Sequence, residues 1–196
     1  MKVFKPITID NLVEKQYQDE IYRHLTDVKF PWAFMADATD EFGHNNSALN
    51  GPTPSFGHLA YWNQRDENPS IDFYNPLLTD RQEKFNIQMT GLLRIRVGFL
   101  LNTSYSLPSM PYRHNKPHQD YDQDHFTLVY YVNDTDGDTV IFHETRPSEK
   151  YYSLEKCSPK KGRAILFDGR HFHASTCPKM FTTRIAITIN FQGLPQ

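Results

Sequence analysis

His118 and Asp120 stand two residues apart in the stretch "PHQD", and an apolar, aromatic run, "FTLVYYVN", begins at Phe126. An imidazole nitrogen and a carboxylate oxygen at this spacing can hold a metal together. In a strand, residues i and i+2 point to the same face, so both side chains would look into one interior. They are two-thirds of a facial triad, in which two His and one carboxylate hold a metal and leave open positions for substrate. The pair alone is weak evidence. Nine His and fifteen Asp in 196 residues give about 0.7 such pairs by chance (9 × 15/196). A third ligand is required, and His143, His171 and His173 are the candidates. His171 and His173 would share a face in a strand, so periodicity does not choose between them.

The last apolar run, "TTRIAITINF", carries Ile185, Ile187, Ile189 and Phe191 on one face and Thr182, Arg184, Ala186, Thr188 and Asn190 on the other. The polar face either meets water or lines a pocket. In a pocket, Arg184 would need an anion, and its planar fork matches a carboxylate. By the same alternation Thr127, Val129, Tyr131 and Asn133 share a face, and Tyr131 could offer its hydroxyl to that anion.

These residues must be positioned by strands. From Arg94 onward, short β-type runs alternate with turn clusters such as "NDTDGD" and "SPKKG". Aromatic residues make up 14% of the chain, which suits sheets better than a helical bundle. Before Arg94 the texture differs. Val13, Tyr17, Ile21 and Leu25 recur every four residues, which predicts a helix with Asp10 as its N-cap. A second helix is expected from Leu77 to Met89, after Pro76, and residues 37–70 look like a loop. The expected fold is α+β and mainly β: a jelly roll with N-terminal helices packed on one face. It is expected to form a single domain over 1–196, with a helical and loop extension at 1–90 and the β-rich core at 91–196.

Composition excludes several functions. The net charge is −2 and the longest basic run is Lys160–Lys161, so no nucleic-acid surface is advertised. No window approaches 18 apolar residues, which argues against a membrane span. Cys157 and Cys177 make no disulfide framework and fit a reducing, cytoplasmic setting. "DYDQD" and "DTDGD" resemble the start of a calcium loop but lack the Gly at position six and the Glu at twelve, so they read as turns.

In order and spacing, "PHQD", "TLVYYVN", "DGDTVIF", "PKKGRAILFDGRHFHAS" and "TTRIAITINF" resemble the Fe(II)- and 2-oxoglutarate-dependent dioxygenases, and most of all the prolyl-4-hydroxylase-like branch with its short stand-alone, phage-type members. The resemblance implies a double-stranded β-helix with His118, Asp120 and His173 as iron ligands. His173 is chosen over His171 because the family's distal His precedes a small residue, as in "HFHAS". It implies that Arg184 binds the far carboxylate of 2-oxoglutarate and that Tyr131 assists. The cofactors would be Fe(II), 2-oxoglutarate and O2, with ascorbate supporting turnover. The reaction would be hydroxylation of an unactivated C–H bond, in a prolyl residue of a protein or peptide or in a small molecule, with release of succinate and CO2. A phage-encoded member would act in the host cytoplasm. Tyr112 and Arg113, with Trp32 and Trp62, are expected at the substrate rim. The family's "GGET" is here "DGDT", residues 136–139, a change expected to affect only a turn. The rival expectation is a jelly-roll binding or structural module without catalysis, in which these side chains have no reason to converge.

Overall fold

Alternation within single strands decides which side of the molecule each residue faces. The structure, a computed structural model, describes residues 4–38, 53–63, 71–102 and 114–195. Ten strands and two α-helices follow one another: β1 (Ile7–Ile9), α1 (Lys15–Leu25), β2 (Ala33–Met35), β3 (Ser55–Trp62), α2 (Asn75–Phe85), β4 (Ile87–Leu101), β5 (Phe126–Tyr131), β6 (Thr139–Phe142), β7 (Ser153–Cys157), β8 (Ala164–Asp168), β9 (His173–Ser175) and β10 (Thr183–Pro195). A seven-stranded sheet runs β1-β8-β5-β10-β4-β3-β2, and a three-stranded sheet runs β7-β6-β9. All the pairings are antiparallel. The two sheets make the double-stranded β-helix that the sequence leads one to expect.

The larger sheet has two different faces. Ile185, Ile187, Ile189 and Phe191 of β10 join Ile95, Val97, Leu128 and Tyr130 in the main core, against Ile21 and Leu25 of α1 and Leu77 and Phe85 of α2. Burial of this apolar area holds the helices on that face. Val129, Tyr131, Ile165, Phe167 and Ala186 point the other way and pack with Ile141 and Cys157 of the smaller sheet.

Three local expectations change. The first helix begins at Lys15, so Val13 precedes it, and Asp10 is not its cap. Asp10 instead accepts bonds from Arg163 Nε (2.6 Å) and Lys160 Nζ (3.1 Å), tying the end of β1 to the turn before β8. The Arg163 guanidinium brings its pKa down to about 2. The second helix ends at Phe85 rather than Met89. Asn86 adopts the left-handed conformation (φ 53°) favoured after a helix C-terminus, and Ile87–Met89 pair with Gly193–Pro195 of β10. Tertiary strand pairing overrides the helical periodicity there. Within the expected 37–70 loop, Ser55–Trp62 form β3, hydrogen-bonded to β4.

Candidate metal centre

His173 opens β9, paired with Ile141 of β6. His118 lies outside the named strands but makes an isolated bridge to it: His118 N–H donates to the His173 carbonyl (3.0 Å) and His173 N–H to the His118 carbonyl (2.9 Å). This backbone exchange brings the two imidazoles to 4.6 Å between centroids. Asp120 sits in a bend, not in a continuous strand. The strand-like alternation survives only locally, because Gln119 points outward and donates to the Arg170 carbonyl. His118 Nε2 lies 3.8 Å from Asp120 Oδ1 and His173 Nε2 lies 3.6 Å from Asp120 Oδ2. The three ligand atoms fall within 4.8 Å of one another.

The tautomers suit a metal. His118 Nδ1 lies 3.1 Å from the Lys116 carbonyl and His173 Nδ1 3.4 Å from the His171 carbonyl. Each Nδ1 is therefore the donor to its carbonyl, and each Nε2 is turned toward Asp120. Burial pushes the His173 pKa down to about 4, so its ring is neutral near pH 7. Burial works to raise the Asp120 pKa, but Arg94, the two imidazoles and the Asn190 amide outweigh it and hold the carboxyl well below its usual range. Two imidazoles and one carboxylate are the donor set that Fe(II) accepts in a facial triad. His171 turns elsewhere, with Nδ1 2.8 Å from the Phe142 carbonyl, and His143 is exposed.

The cavity beside these three residues lies between the sheets. Its lining includes Arg96, Gly98 and Leu100 of β4, Val129 of β5, Thr139 of β6, Ser175 of β9, and Arg184, Ala186 and Thr188 of β10. The polar face of β10 thus lines a pocket. Arg184 is 5% exposed and its pKa is lowered by burial. Its Nε donates to the Gly137 carbonyl (2.7 Å) and its Nη2 to Thr139 Oγ1 (2.9 Å). Gly137 has φ 110°, and a Cβ there would lie 2.7 Å from the Thr176 carbonyl oxygen, so the "DGDT" turn requires glycine. Tyr131 Oη also donates to Thr139 Oγ1 (2.7 Å), and the Arg184 guanidinium sits 5.4 Å from the Tyr131 ring centroid. Tyr131 stands behind Thr139 rather than in the cavity lining. With its oxygen accepting from both neighbours, the Thr139 hydroxyl keeps its proton to donate elsewhere.

Sequence reasoning missed Arg94, Arg96, Thr139 and Ser55. The alternation of "RIRVG" carried a signal, because Arg94, Arg96 and Gly98 share the cavity face of β4. Thr139 carried none, since its role depends on contacts between sheets. Tyr112 and Arg113 lie outside the described residues. Trp32 packs on Phe30 and on Phe99, a cavity-lining residue, beside the main core; Trp62 pairs opposite Arg94 on β3. Asp136 of "DTDGD" accepts the backbone N–H groups of Lys179, Met180 and Phe181, as befits a turn.

Comparison with known proteins agrees with this geometry. Residues 106–192 match the family model described as the 2OG-Fe(II) oxygenase superfamily, and the matched span includes all three metal-facing residues and Arg184. Through this segment, less than half of its length, the chain is similar to the 2OG-Fe(II) oxygenase superfamily. The superfamily uses Fe(II), 2-oxoglutarate and O2. No curated protein matches the sequence. Solved structures share its fold at low identity. The non-heme alpha-ketoglutarate-dependent epimerase SnoN of nogalamycin biosynthesis aligns with a TM-score of 0.63 at 10% identity, over 95% of this chain and 78% of that one. A prolyl hydroxylase from Trichoplax adhaerens, in complex with a hypoxia-inducible-factor peptide fragment, aligns with a TM-score of 0.59 at 16% identity, over 95% and 82%. A 2OG-Fe(II) oxygenase-family oxidoreductase from Burkholderia pseudomallei gives 0.63 at 9%, over 95% and 84%. Among the described residues, no helix is long and apolar enough to cross a membrane.

Proposed function

We propose that this protein is a 2OG-Fe(II) oxygenase that hydroxylates an unactivated C–H bond in a protein or peptide, with a prolyl residue as the first target to test. His118, Asp120 and His173 would hold Fe(II), and Arg184 with Thr139 would hold the distal carboxylate of 2-oxoglutarate, with Tyr131 orienting Thr139. The observation that carries the reading is convergence: two imidazoles, a carboxylate and a buried guanidinium line one cavity between two sheets. A binding or structural module has no use for that combination. Iron and 2-oxoglutarate, when bound, supply the oxidation, coupled to decarboxylation to succinate and CO2.

The side chains position and exclude; they do not transfer protons to the oxidised carbon. Arg184 fixes the co-substrate at the closed end through a charge-assisted contact. The His118 side chain is 33% exposed, while those of Asp120 and His173 are at 6–7%. A metal held there would therefore be reached from the His118 side, where substrate would approach. Placement of the target bond then sets which C–H reacts. Likeness in fold to a prolyl hydroxylase that binds a peptide favours a peptide substrate. We also propose that residues 1–196 act as one domain, supported by β1, β2 and β3 hydrogen-bonding into the same sheet as β4, β5, β8 and β10.

The test is succinate release against a panel of proline-containing peptides, with mass spectrometry for gain of one oxygen. The reading predicts peptide-dependent succinate in the wild type and none in His173→Ala. Turnover with small metabolites and none with peptides would overturn the peptide assignment.

A further inference from the structure

Asp120 is the one metal-facing residue that no strand or bridge holds. Its carboxylate is nonetheless fixed from below by a row of side chains on three adjacent strands. Asn190 of β10 is the direct cross-strand partner of Arg94 on β4 and of Thr127 on β5. All three side chains project toward the cavity face, and all are buried, with Thr127 and Asn190 at 0% and Arg94 at 6% exposure. Arg94 Nε donates to Asn190 Oδ1 (2.9 Å), which fixes the orientation of the amide. Asn190 Nδ2 then donates to Thr127 Oγ1 (3.1 Å) and to Asp120 Oδ2 (2.8 Å). Arg94 Nη2 donates to Asp120 Oδ1 at 2.6 Å. Each carboxylate oxygen receives one donor, and each donor is set by the strand register beneath it.

We propose that Thr127, Asn190 and Arg94 form a positioning rail for the metal carboxylate. Asn190 sets the direction of Asp120 and therefore how tightly metal binds, and Arg94 draws charge from Asp120 and so sets how electron-rich the bound metal is. This rests on the assignment of Asp120 as an iron ligand. Two physical effects separate the members of the rail. Asn190 is neutral, so its loss costs orientation. Arg94 is charged, so its loss makes Asp120 a stronger donor to the metal. Partners that orient metal ligands typically matter by about 10–100-fold in affinity.

The experiment uses the full chain under argon, with Co(II) calorimetry for affinity and the visible charge-transfer band of the Fe(II)–2-oxoglutarate complex for electron richness. Asn190→Ala is expected to bind Co(II) about 10–100-fold more weakly, with the band at the wild-type wavelength. Arg94→Met is expected to move the band to longer wavelength, and Arg94→Lys, which keeps the charge, to hold it in place. A merely structural salt bridge would not move the band. Unchanged Co(II) affinity in Asn190→Ala, or an unshifted band in folded Arg94→Met, overturns the proposal. Should Arg94→Met fail to fold, the Asn190→Ala affinity decides alone. A wild-type protein that binds neither metal nor 2-oxoglutarate would instead end the oxygenase reading, and this inference with it.

Discussion

The two ends of the cavity are built in opposite ways. At the closed end every polar group rides on a strand or the turn beside one: Arg184 on β10, Thr139 on β6, Tyr131 on β5 and Gly137 just before β6. At the metal end two of the three donors come from an irregular segment, His118 on a lone bridge and Asp120 in a bend. Strands alone orient the first end. The second needs the backbone exchange between His118 and His173, and side-chain contacts from Arg94 and Asn190. The difference teaches that the proposed anion site is a property of the sheets, while the proposed metal site also depends on groups that merely lean on them.

That comparison can be broken at either end. The largest effect is expected at the metal end itself: Asp120→Asn or His173→Ala should abolish Fe(II) binding and succinate release, both measured on folded protein. Retention of tight Fe(II) binding by either variant would remove that residue from the ligand set. At the closed end, Arg184→Met should raise the 2-oxoglutarate concentration needed by roughly 30-fold or more, the cost of removing a charged partner (about 2–5 kcal/mol). Metal affinity without co-substrate should stay the same, and a parallel loss of both would show that the ends are not separable. Smaller again, Thr139→Val should weaken 2-oxoglutarate binding by about tenfold, and Tyr131→Phe, which acts only through Thr139, by about fivefold or less. A larger effect of Tyr131→Phe would place its hydroxyl in direct contact with the anion.

A separate effect tests the metal end by pH. The folded pKa of His173, about 4, lies below its unfolded value of 6.5. Between these values the unfolded chain binds more protons than the native one, so stability of the metal-free protein should fall as pH drops from 6.5 toward 4, by at most about 3 kcal/mol. Urea unfolding across that window should show the slope in the wild type and a flatter one in His173→Gln. Equal slopes would mean that His173 is not held neutral by burial.

Legibility in the sequence followed the same division. Period-two alternation separated the core face of β10 from its polar face, and Arg184 could be placed on the latter. What alternation could not say was whether that face met water or a cavity, since a second sheet settles it. Arg184, Ala186 and Asn190 are as buried as the isoleucines behind them. The metal end came from spacing and family resemblance, because no periodicity runs through 114–125. Arg94 and Thr139 went unnoticed for a physical reason: their partners are 26 and 45 residues away in the chain. The helix ends failed where strand pairing at Ile87 overrode local propensity.

The most direct measurement is an anaerobic titration of the wild-type protein with Fe(II) and 2-oxoglutarate, followed by visible absorption. One cavity that holds both must give a charge-transfer band only when both are present, saturating at one equivalent of iron and lost in His173→Ala. Iron and 2-oxoglutarate that bind independently without producing the band would show that the guanidinium and the metal ligands do not serve one site.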